Sequence, residues 1–380
     1  MADKPCWNPT VLTMCIGCVG LAARVAAGGY TGLDLYPLTF PGPHSFNLVY
    51  IGNEVAAGGQ VVVATSSGNN PDHAIVWDAQ GNSIDLIPVG FDESEDFATN
   101  GTQQVGFARD AAHNGFPHAF FWNGSPQSGV DLSPTNLPGF PYSVAEGTNG
   151  TQQVGTGAPS NTAPGHALLW NGTAASAVDL NPTGFDFSRA IGTDGTHQVG
   201  EGAGPTTGAR NHAIIWSGTA GSAVDLHPAG YLLSAAQAVS GNQVVGVGYL
   251  NDTQGHALLW TGGAGSAVDL NPSQLGINYS IAFGTNGARQ VGEGSGGFAG
   301  PMRALVWSGS AGSAVDLHAL LLGNFIASTA YSIDATGNIF GLATDANGNY
   351  HAVEWAVPEP SALALFIVAV AALRRRRRHV

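Results

Sequence analysis

The chain has 380 residues, only 10% of which are charged, and a formal net charge of −14 at pH 7. Such an acidic surface repels phosphate backbones, so nucleic acid is not expected as a partner. An apolar fraction of 44% together with 55 glycines fits short strands joined by tight turns and argues against a disordered chain.

Residues 1–29 have the layout of a secretory signal peptide or other N-terminal export segment. Lys4 precedes an apolar stretch from Val11 to Ala23, and small residues follow up to Gly29. All cysteines of the chain lie in this segment: Cys6, Cys15 and Cys18. No disulfide framework or cysteine metal site is therefore expected in the rest of the chain. Two alternatives stay open, a start codon placed too far upstream and lipoprotein attachment at Cys18.

Residues 30–356 are predicted to form one repeat domain of seven units, each about 46 residues long. A five-residue string of the type His-Ala-x-x-Trp occurs seven times, at intervals of 44 to 48 residues. The copies begin at His73, His118, His166, His212, His256, Arg303 and His351. They end at Trp77, Trp122, Trp170, Trp216, Trp260, Trp307 and Trp355. An Asp-containing string follows each of the first six copies, and a seventh stands alone at the front: Asp85, Asp131, Asp179, Asp225, Asp269, Asp316 and Asp34.

Each unit contains four short apolar segments separated by Asn-Gly or Asp-Gly turn signals, which predicts a four-stranded antiparallel sheet. Four strands and this period indicate a blade of a β-propeller. We therefore expect an all-β, seven-bladed propeller. The orphan segment Leu33–Leu35 would complete the seventh blade and close the ring. An open β solenoid is the alternative.

Residues 357–380 form a separate tail with three parts in a fixed order. Pro358, Glu359 and Pro360 come first, an apolar run from Ala362 to Leu373 follows, and an arginine cluster ends it: Arg374, Arg375, Arg376, Arg377 and Arg378. The apolar run predicts a hydrophobic helix that is shorter than the roughly 20 residues of an ordinary membrane span. The arginines would hold its end on the cytoplasmic side.

This tail resembles the PEP-CTERM sorting signal of bacterial surface proteins. The resemblance implies that an exosortase-type membrane enzyme processes the chain near Pro358–Pro360 and releases the body outward. An ordinary tail anchor is the alternative. The body resembles the HAF family of extracellular repeats, and His118-Ala119-Phe120 matches its string literally. Together the resemblances imply an exported protein, membrane-anchored before processing and at the cell surface or in a biofilm matrix afterwards.

The repeated histidines invite a metal or catalytic interpretation, but residues repeated in every blade spread around a ring. We expect His, Trp and the Asp of the next strand to form a packing and hydrogen-bond cluster in each blade. Neither a cofactor nor a metal is predicted. Functional residues are expected among those that differ from the repeat. The candidates are Asp92, Glu93, Glu95, Asp96, Glu146, Glu201, Glu293, His227 and His318.

Two functions are weighed. The favoured one is a non-catalytic surface protein that binds or scaffolds an exopolysaccharide or matrix polymer, because the repeat is regular and no acid, base and nucleophile visibly converge. The alternative is an extracellular propeller enzyme, a glycan hydrolase or lyase that uses the non-repeated carboxylates. The two differ in whether those acids meet in one pocket within about 5 to 10 Å.

Overall fold

The computed structural model describes residues 30–37, 46–50, 55–56, 60–67, 70–78, 82–112 and 115–357. The export segment and the tail, including its predicted hydrophobic helix, lie outside these residues. Within them the regular structure is β-strands and short 3₁₀ turns. The turns are Pro126–Ser128, Ala174–Ser176, Pro205–Thr207, Ala220–Ser222, Ala264–Ser266, Ser273–Leu275, Ala311–Ser313 and His318–Leu320. None of the described residues forms a helix that is long and apolar enough to cross a membrane.

Seven antiparallel sheets follow one another, and we number them as blades 1 to 7. Blade 1 contains β2 (Phe46–Tyr50), β3 (Val55–Ala56), β4 (Gln60–Ser67), β5 (Asn70–Trp77) and β6 (Ser83–Asp85). Blade 2 contains β7 (Glu93–Thr99), β8 (Gln104–Arg109), β9 (His118–Trp122) and β10 (Val130–Asp131). Blade 3 contains β11 (Tyr142–Thr148), β12 (Gln153–Ala158), β13 (His166–Trp170) and β14 (Val178–Asp179). Blade 4 contains β15 (Phe187–Thr193), β16 (Gln198–Ala203), β17 (His212–Trp216) and β18 (Val224–Asp225).

Blade 5 contains β19 (Leu233–Ser240), β20 (Gln243–Asn251), β21 (Gln254–Trp260) and β22 (Val268–Asp269). Blade 6 contains β23 (Tyr279–Thr285), β24 (Gln290–Ser295), β25 (Arg303–Trp307) and β26 (Val315–Asp316). Blade 7 contains β27 (Phe325–Ile333), β28 (Ile339–Asp345), β29 (Tyr350–Ala356) and the first strand of the chain, β1 (Thr31–Pro37). In blade 1, β2 and β3 share one edge of β4.

The ring closes through β1. It pairs antiparallel with β29, with Leu33 opposite Glu354 and Asp34 opposite Val353. Blade 7 also packs on blade 1, where Ile75 contacts the cluster of Phe340 and Leu342. The seven-bladed propeller is confirmed, and the open solenoid is wrong because both ends of the array are joined.

First strands of neighbouring blades contact one another, which places them at the centre of the ring. Each first strand of blades 2 to 6 carries a β-bulge at its fourth to sixth residue, such as Ala145 to Gly147, and β27 of blade 7 carries one from Ala330 to Ser332. The bulge brings a carbonyl oxygen against the second strand. A Cβ on Gly155 would lie 2.0 Å from the carbonyl oxygen of Val144, so only glycine fits there. This contact explains the Gln-Val-Gly string of the repeat.

Third strands are buried on both faces because blades stack face to face. Between blades 3 and 4, Leu169 and Leu180 pack against Ile214 and Trp216. All seven tryptophans of the repeat are fully buried. The hydrophobic core is therefore a ring of interfaces between blades, and the polar residues that break it stand out chemically.

Candidate functional site

Each blade carries one ion pair between its third and its outermost strand. The histidine that opens the third strand donates Nδ1–H to Oδ2 of the aspartate, at 2.7 to 3.0 Å. In blade 6 the donor is Nη1 of Arg303, 2.9 Å from Oδ2 of Asp316. The other pairs are His73–Asp85, His118–Asp131, His166–Asp179, His212–Asp225, His256–Asp269 and His351–Asp34. One pair per blade cannot converge on a single ligand.

The second oxygen of these aspartates holds the backbone. Oδ1 of Asp179 accepts the N–H of Asn181 at 2.8 Å, and Oδ1 of Asp269 accepts that of Asn271 at 2.7 Å. Burial alone would raise the pKa of both carboxyls, but the histidine and backbone hydrogen bonds outweigh it and lower the pKa. These aspartates fix the end of the outer strand.

The tryptophans do not join the His–Asp pairs in the cluster that we expected. Each lies at the far end of the third strand, and its indole faces the preceding blade. Nε1–H of Trp260 donates to the carbonyl of Leu226 at 2.9 Å, and that of Trp355 to the carbonyl of Leu317 at 2.8 Å. The indole nitrogens of four others have no hydrogen-bond partner among the described residues, so these rings join the blades by packing alone: Trp122, Trp170, Trp216 and Trp307. The His–Asp pair therefore fastens a blade internally, whereas the tryptophan joins two blades.

A buried serine that the repeat pattern did not reveal lies near the start of each first strand in blades 2 to 7. Its Oγ accepts the alanine N–H of the preceding blade's His-Ala or Arg-Ala string, at 2.9 to 3.1 Å. The pairs are Ala74–Ser94, Ala119–Ser143, Ala167–Ser188, Ala213–Ser234, Ala257–Ser280 and Ala304–Ser328. Aligning the units on their bulge glycine would have revealed it.

Three carboxylates that do not belong to the repeat meet where blades 1 and 2 join. Asp72 lies on β5, and Glu93 and Glu95 lie on β7. One oxygen of each lies within 4.8 Å of the others. Arg109, opposite Glu93 on β8, forms an ion pair with it. All four side chains are partly exposed, so this acid cluster can meet a ligand.

Among the three acids of the cluster, Glu95 has a pKa that is raised into the neutral range. Burial, followed by the negative charges of Asp72 and Glu93, raises its pKa to about 7, and Arg109 opposes the shift only partly. Near neutral pH this side chain can both donate and accept a proton. That property is the one required of a general acid or base.

The neighbouring acids of the same segment do not join the cluster. Asp92 is exposed. Asp96 points to the other face of β7, is fully buried and has no hydrogen-bond partner on either oxygen. Burial, followed by the charges of Asp85 and Glu95, raises its pKa well above the ordinary value.

A second polar group lies between blades 3 and 4. Glu146 forms an ion pair with Arg189 and accepts a hydrogen bond from Thr156 at 3.0 Å. Glu201 accepts from Asn211 at 2.8 Å; burial raises its pKa, and Arg189 opposes this. Tyr142 lies near both polar groups. Burial, followed by the charges of Glu146 and Glu95, raises the pKa of its hydroxyl, and Arg109 and Arg189 oppose the shift.

Glu293 is not brought to either group. It belongs to blade 6 and accepts a hydrogen bond from Thr329 of blade 7 at 2.6 Å. His227 and His318 bond to Ser234 and Ser328, each at 2.9 Å, and so belong to the joints between blades. The convergence of acids that would distinguish an enzyme from a scaffold is thus found for Glu93 and Glu95, and in part for Glu146 and Glu201.

The acid cluster suits proton transfer better than metal binding. Carboxylate oxygens are the ligands that Ca²⁺ and Mg²⁺ prefer. Here, however, a guanidinium already compensates Glu93, and Glu95 holds a proton near neutral pH. The absence of a metal site stays a prediction.

No family model and no curated protein matches the sequence. Solved structures match over most of the chain. The β-propeller domain of the Trilobed protease from Pyrococcus furiosus, described as having an open velcro topology, has a TM-score of 0.54 and 9% identity, covering 83% of this chain and 95% of its own. Puromycin hydrolase has a TM-score of 0.52 and 12% identity, and the match covers 85% of this chain and 55% of the hydrolase chain. Pyrococcus horikoshii acylaminoacyl peptidase has a TM-score of 0.50 and 9% identity, and the match covers 83% of this chain and 53% of the peptidase chain.

These similarities establish the propeller fold. This chain spans about half the length of the last two, 55% and 53%. The similar propellers mostly occur in proteins named as enzymes, which contradicts our prediction of a non-catalytic scaffold. That prediction and the one that the protein is not an enzyme are wrong on this comparison. Both predictions assumed that no acidic side chains come together in the fold, whereas Glu93 and Glu95 do.

Proposed function

We propose that this protein is an extracellular glycan-cleaving enzyme, a hydrolase whose catalytic acid is Glu95. The observation that carries the proposal is the acid cluster, in which one carboxyl titrates at about pH 7 beside two others within 4.8 Å. A carboxylic acid and a carboxylate in such different surroundings are the pair that glycosidic bond cleavage requires.

We propose a double-displacement reaction, since one oxygen of Glu93 and one of Glu95 lie within 4.8 Å of each other. Retaining glycosidases hold their two carboxyl groups about 5 to 5.5 Å apart, whereas inverting enzymes leave a wider gap for water. Glu95 would protonate the glycosidic oxygen while that oxygen leaves C1, and a carboxylate oxygen of Glu93 would bond to C1. The Glu95 carboxylate would then take a proton from water, whose oxygen displaces Glu93 from C1.

The surrounding charges support these roles. The Arg109 guanidinium orients Glu93. Burial, together with the Asp72 and Glu93 carboxylates, raises the pKa of Glu95 and keeps its proton in place near neutral pH. The comparisons carry the fold only, because every similar structure named above is at most 12% identical to this chain. The choice of a glycan bond rests on the two carboxylates.

The test is cleavage of soluble polysaccharides, followed by new reducing ends. Glu95→Gln should lower kcat by roughly 10²- to 10⁴-fold, as expected for the loss of a general acid. Glu293→Gln is the matched control, since Glu293 is also a partly buried glutamate whose pKa is raised by burial, but it lies outside the cluster. Full activity in Glu95→Gln would contradict the proposal. An unsaturated product seen by ultraviolet absorbance would instead identify a lyase.

We also propose export and surface sorting of the chain, on the residues of its two ends. Pro358, Glu359 and Pro360 would be processed by an exosortase-type enzyme, and the tail would anchor the body until then. Glu359→Ala should abolish surface display of the body, measured by protease accessibility on intact cells. Unchanged display would contradict the sorting proposal.

A further inference from the structure

A cleft on the same side of the ring as the acid cluster is built from parts that the repeat does not supply. It has a volume of about 460 Å³, within the range of small-molecule sites. Its walls include Phe116 and Phe140, with Pro138 and Pro141 between blades 2 and 3. The lining also includes two polar residues, Ser133 and His118, and Nδ1 of His118 is bonded to Asp131.

The connection that forms this cleft differs from its counterparts. Between β10 and β11 the chain runs from Asp131 to Tyr142, three residues longer than the runs after β6, β14 and β18. It is one residue longer than the run after β22 and two residues longer than the run after β26. The longer run contains Pro134, Pro138 and Pro141, whose rings fix the backbone φ angle and stiffen the wall. The Phe140 ring also packs on His166, with centroids 5.4 Å apart. The cleft is therefore rigid before any ligand enters.

The cleft adjoins the proposed active site. Pro141 immediately precedes Tyr142, the first residue of β11, and β11 lies beside β7, the strand that carries Glu93 and Glu95. Ala112, on the opposite wall, is three residues from Arg109, so their Cα atoms are at most roughly 11 Å apart. A polymer cleaved at Glu95 would thus extend naturally into this cleft.

We propose that the cleft is a subsite that binds an uncharged sugar unit of the glycan, an inference that rests on the proposed hydrolase function. The aromatic rings of Phe116 and Phe140 match the apolar faces of a sugar ring, and the Ser133 hydroxyl matches one of its hydroxyl groups. None of its lining residues carries a carboxylate, ammonium or guanidinium group. A uronic acid would gain no counter-ion there and would meet the nearby acids, so a neutral sugar is the occupant.

The experiment measures binding without cleavage. In the Glu95→Gln protein, titration calorimetry with neutral hexasaccharides (cello-, xylo-, laminari- and chito-oligomers) should show one binder, and oligogalacturonate should not bind. Phe140→Ala and Phe116→Ala should each weaken that binding at least tenfold. Phe185→Ala is the matched control, because Phe185 ends the equivalent turn of the next blade but does not line the cleft. It should leave the affinity unchanged.

Binding that survives both cleft substitutions would overturn the subsite. So would preferred binding of oligogalacturonate or of a peptide, or the absence of any neutral binder. These results are separate from those for the catalytic proposal. If neutral sugars bind through Phe140 but wild-type protein cleaves none of them, the hydrolase fails while the binding site stands.

Discussion

Asp96 occupies a place where blades 3 to 7 carry alanine. The equivalent residues are Ala145, Ala190, Ala236, Ala282 and Ala330. Its carboxyl is fully buried between blades 1 and 2 without a hydrogen-bond partner. An unsatisfied buried polar group costs about 1–3 kcal/mol, so this residue should weaken the joint that it occupies.

Asp96→Ala should therefore stabilise the protein by about 1–3 kcal/mol, a rise of several degrees in Tm. Because burial raises the folded-state pKa of Asp96, the native state holds this proton more tightly than the unfolded chain. Stability thus falls as pH rises from near 4 towards the folded-state pKa. The gain from Asp96→Ala should be larger at pH 7.5 than at pH 4.5, measured by thermal unfolding. A loss of stability at pH 7.5 would contradict this account.

Asp72 should set the pH range of activity through its charge on Glu95. The general acid must be protonated, so kcat/KM should decline above about pH 7, the pKa of Glu95. Asp72→Asn removes a negative charge that raises this pKa, and the decline should move to lower pH. The measurement is kcat/KM between pH 4 and 9 on the best substrate. An unmoved alkaline limb would show that Asp72 does not act on Glu95.

Sequence reasoning found part of this site. Glu93 and Glu95 could be singled out because they break the repeat within one strand. Asp72 and Arg109 could not, because they reach the site from β5 and β8, and only the pairing register shows which side chains meet. Burial on alternating faces separates Glu95 from Asp96, and a local sequence does not reveal which neighbour covers each face.

At the scale of strands, the joint between blades depends on the buried serine. Ser234 accepts the N–H of Ala213 at 2.9 Å, so its own O–H is directed to Nδ1 of His227. Nε2 of His227 lies 3.2 Å from the carbonyl of Tyr231 and must carry the proton. The neutral ring fits this arrangement, whereas the imidazolium leaves the serine proton without an acceptor. Ser188 instead donates to Oδ1 of Asn181 at 2.7 Å, a contact that does not titrate.

His227→Asn combined with His318→Asn should reduce the acid sensitivity of the fold. Burial, and then a neighbouring positive charge, lowers the pKa of both histidines. Their contribution to stability is complete above about pH 6.5 and is lost as pH falls through the folded-state pKa. From pH 7.5 to 5.5 the double variant should lose about 2 °C less in Tm than the wild type. An equal loss in both proteins would contradict the argument.

The four strands of each blade could be predicted from the sequence, because a blade is a local meander in which the apolar segments and turns follow one another along the chain. The serine joint could not, because a hydroxyl among small residues carries no periodic signal. The His–Trp–Asp cluster was expected from spacing alone. A strand carries histidine and tryptophan on one face but 4 residues apart, or about 13 Å, which lets each bond to a different element.

At the scale of the whole molecule, the ring depends on one antiparallel pairing that joins the two ends of the array. The orphan Leu33–Leu35 segment predicted this closure, since a ring leaves no unpaired strand edge. Packing of blade 7 on blade 1 adds the remaining contacts. Opening the ring therefore requires the loss of β1 and of one interface between blades, a smaller cost than unfolding a complete blade.

A disulfide across that pairing should stabilise the ring more than the same cross-link inside a blade. Leu33 lies opposite Glu354, and Ile215 lies opposite Val224 at the equivalent place of blade 4. Leu33→Cys with Glu354→Cys closes a loop of roughly 320 residues, and Ile215→Cys with Val224→Cys a loop of about 10. On chain entropy the first should contribute up to about 6 kcal/mol and the second about 3 kcal/mol.

The comparison uses a chain whose Cys6, Cys15 and Cys18 are replaced by alanine, so that only the designed bond can form. Tm is measured oxidised and reduced for both pairs, and reduction should remove each gain. If β1 holds the ring closed, the closure disulfide raises Tm more than the control. Equal gains would mean that the ring unfolds without first releasing β1, because the long loop would then offer no advantage over the short one.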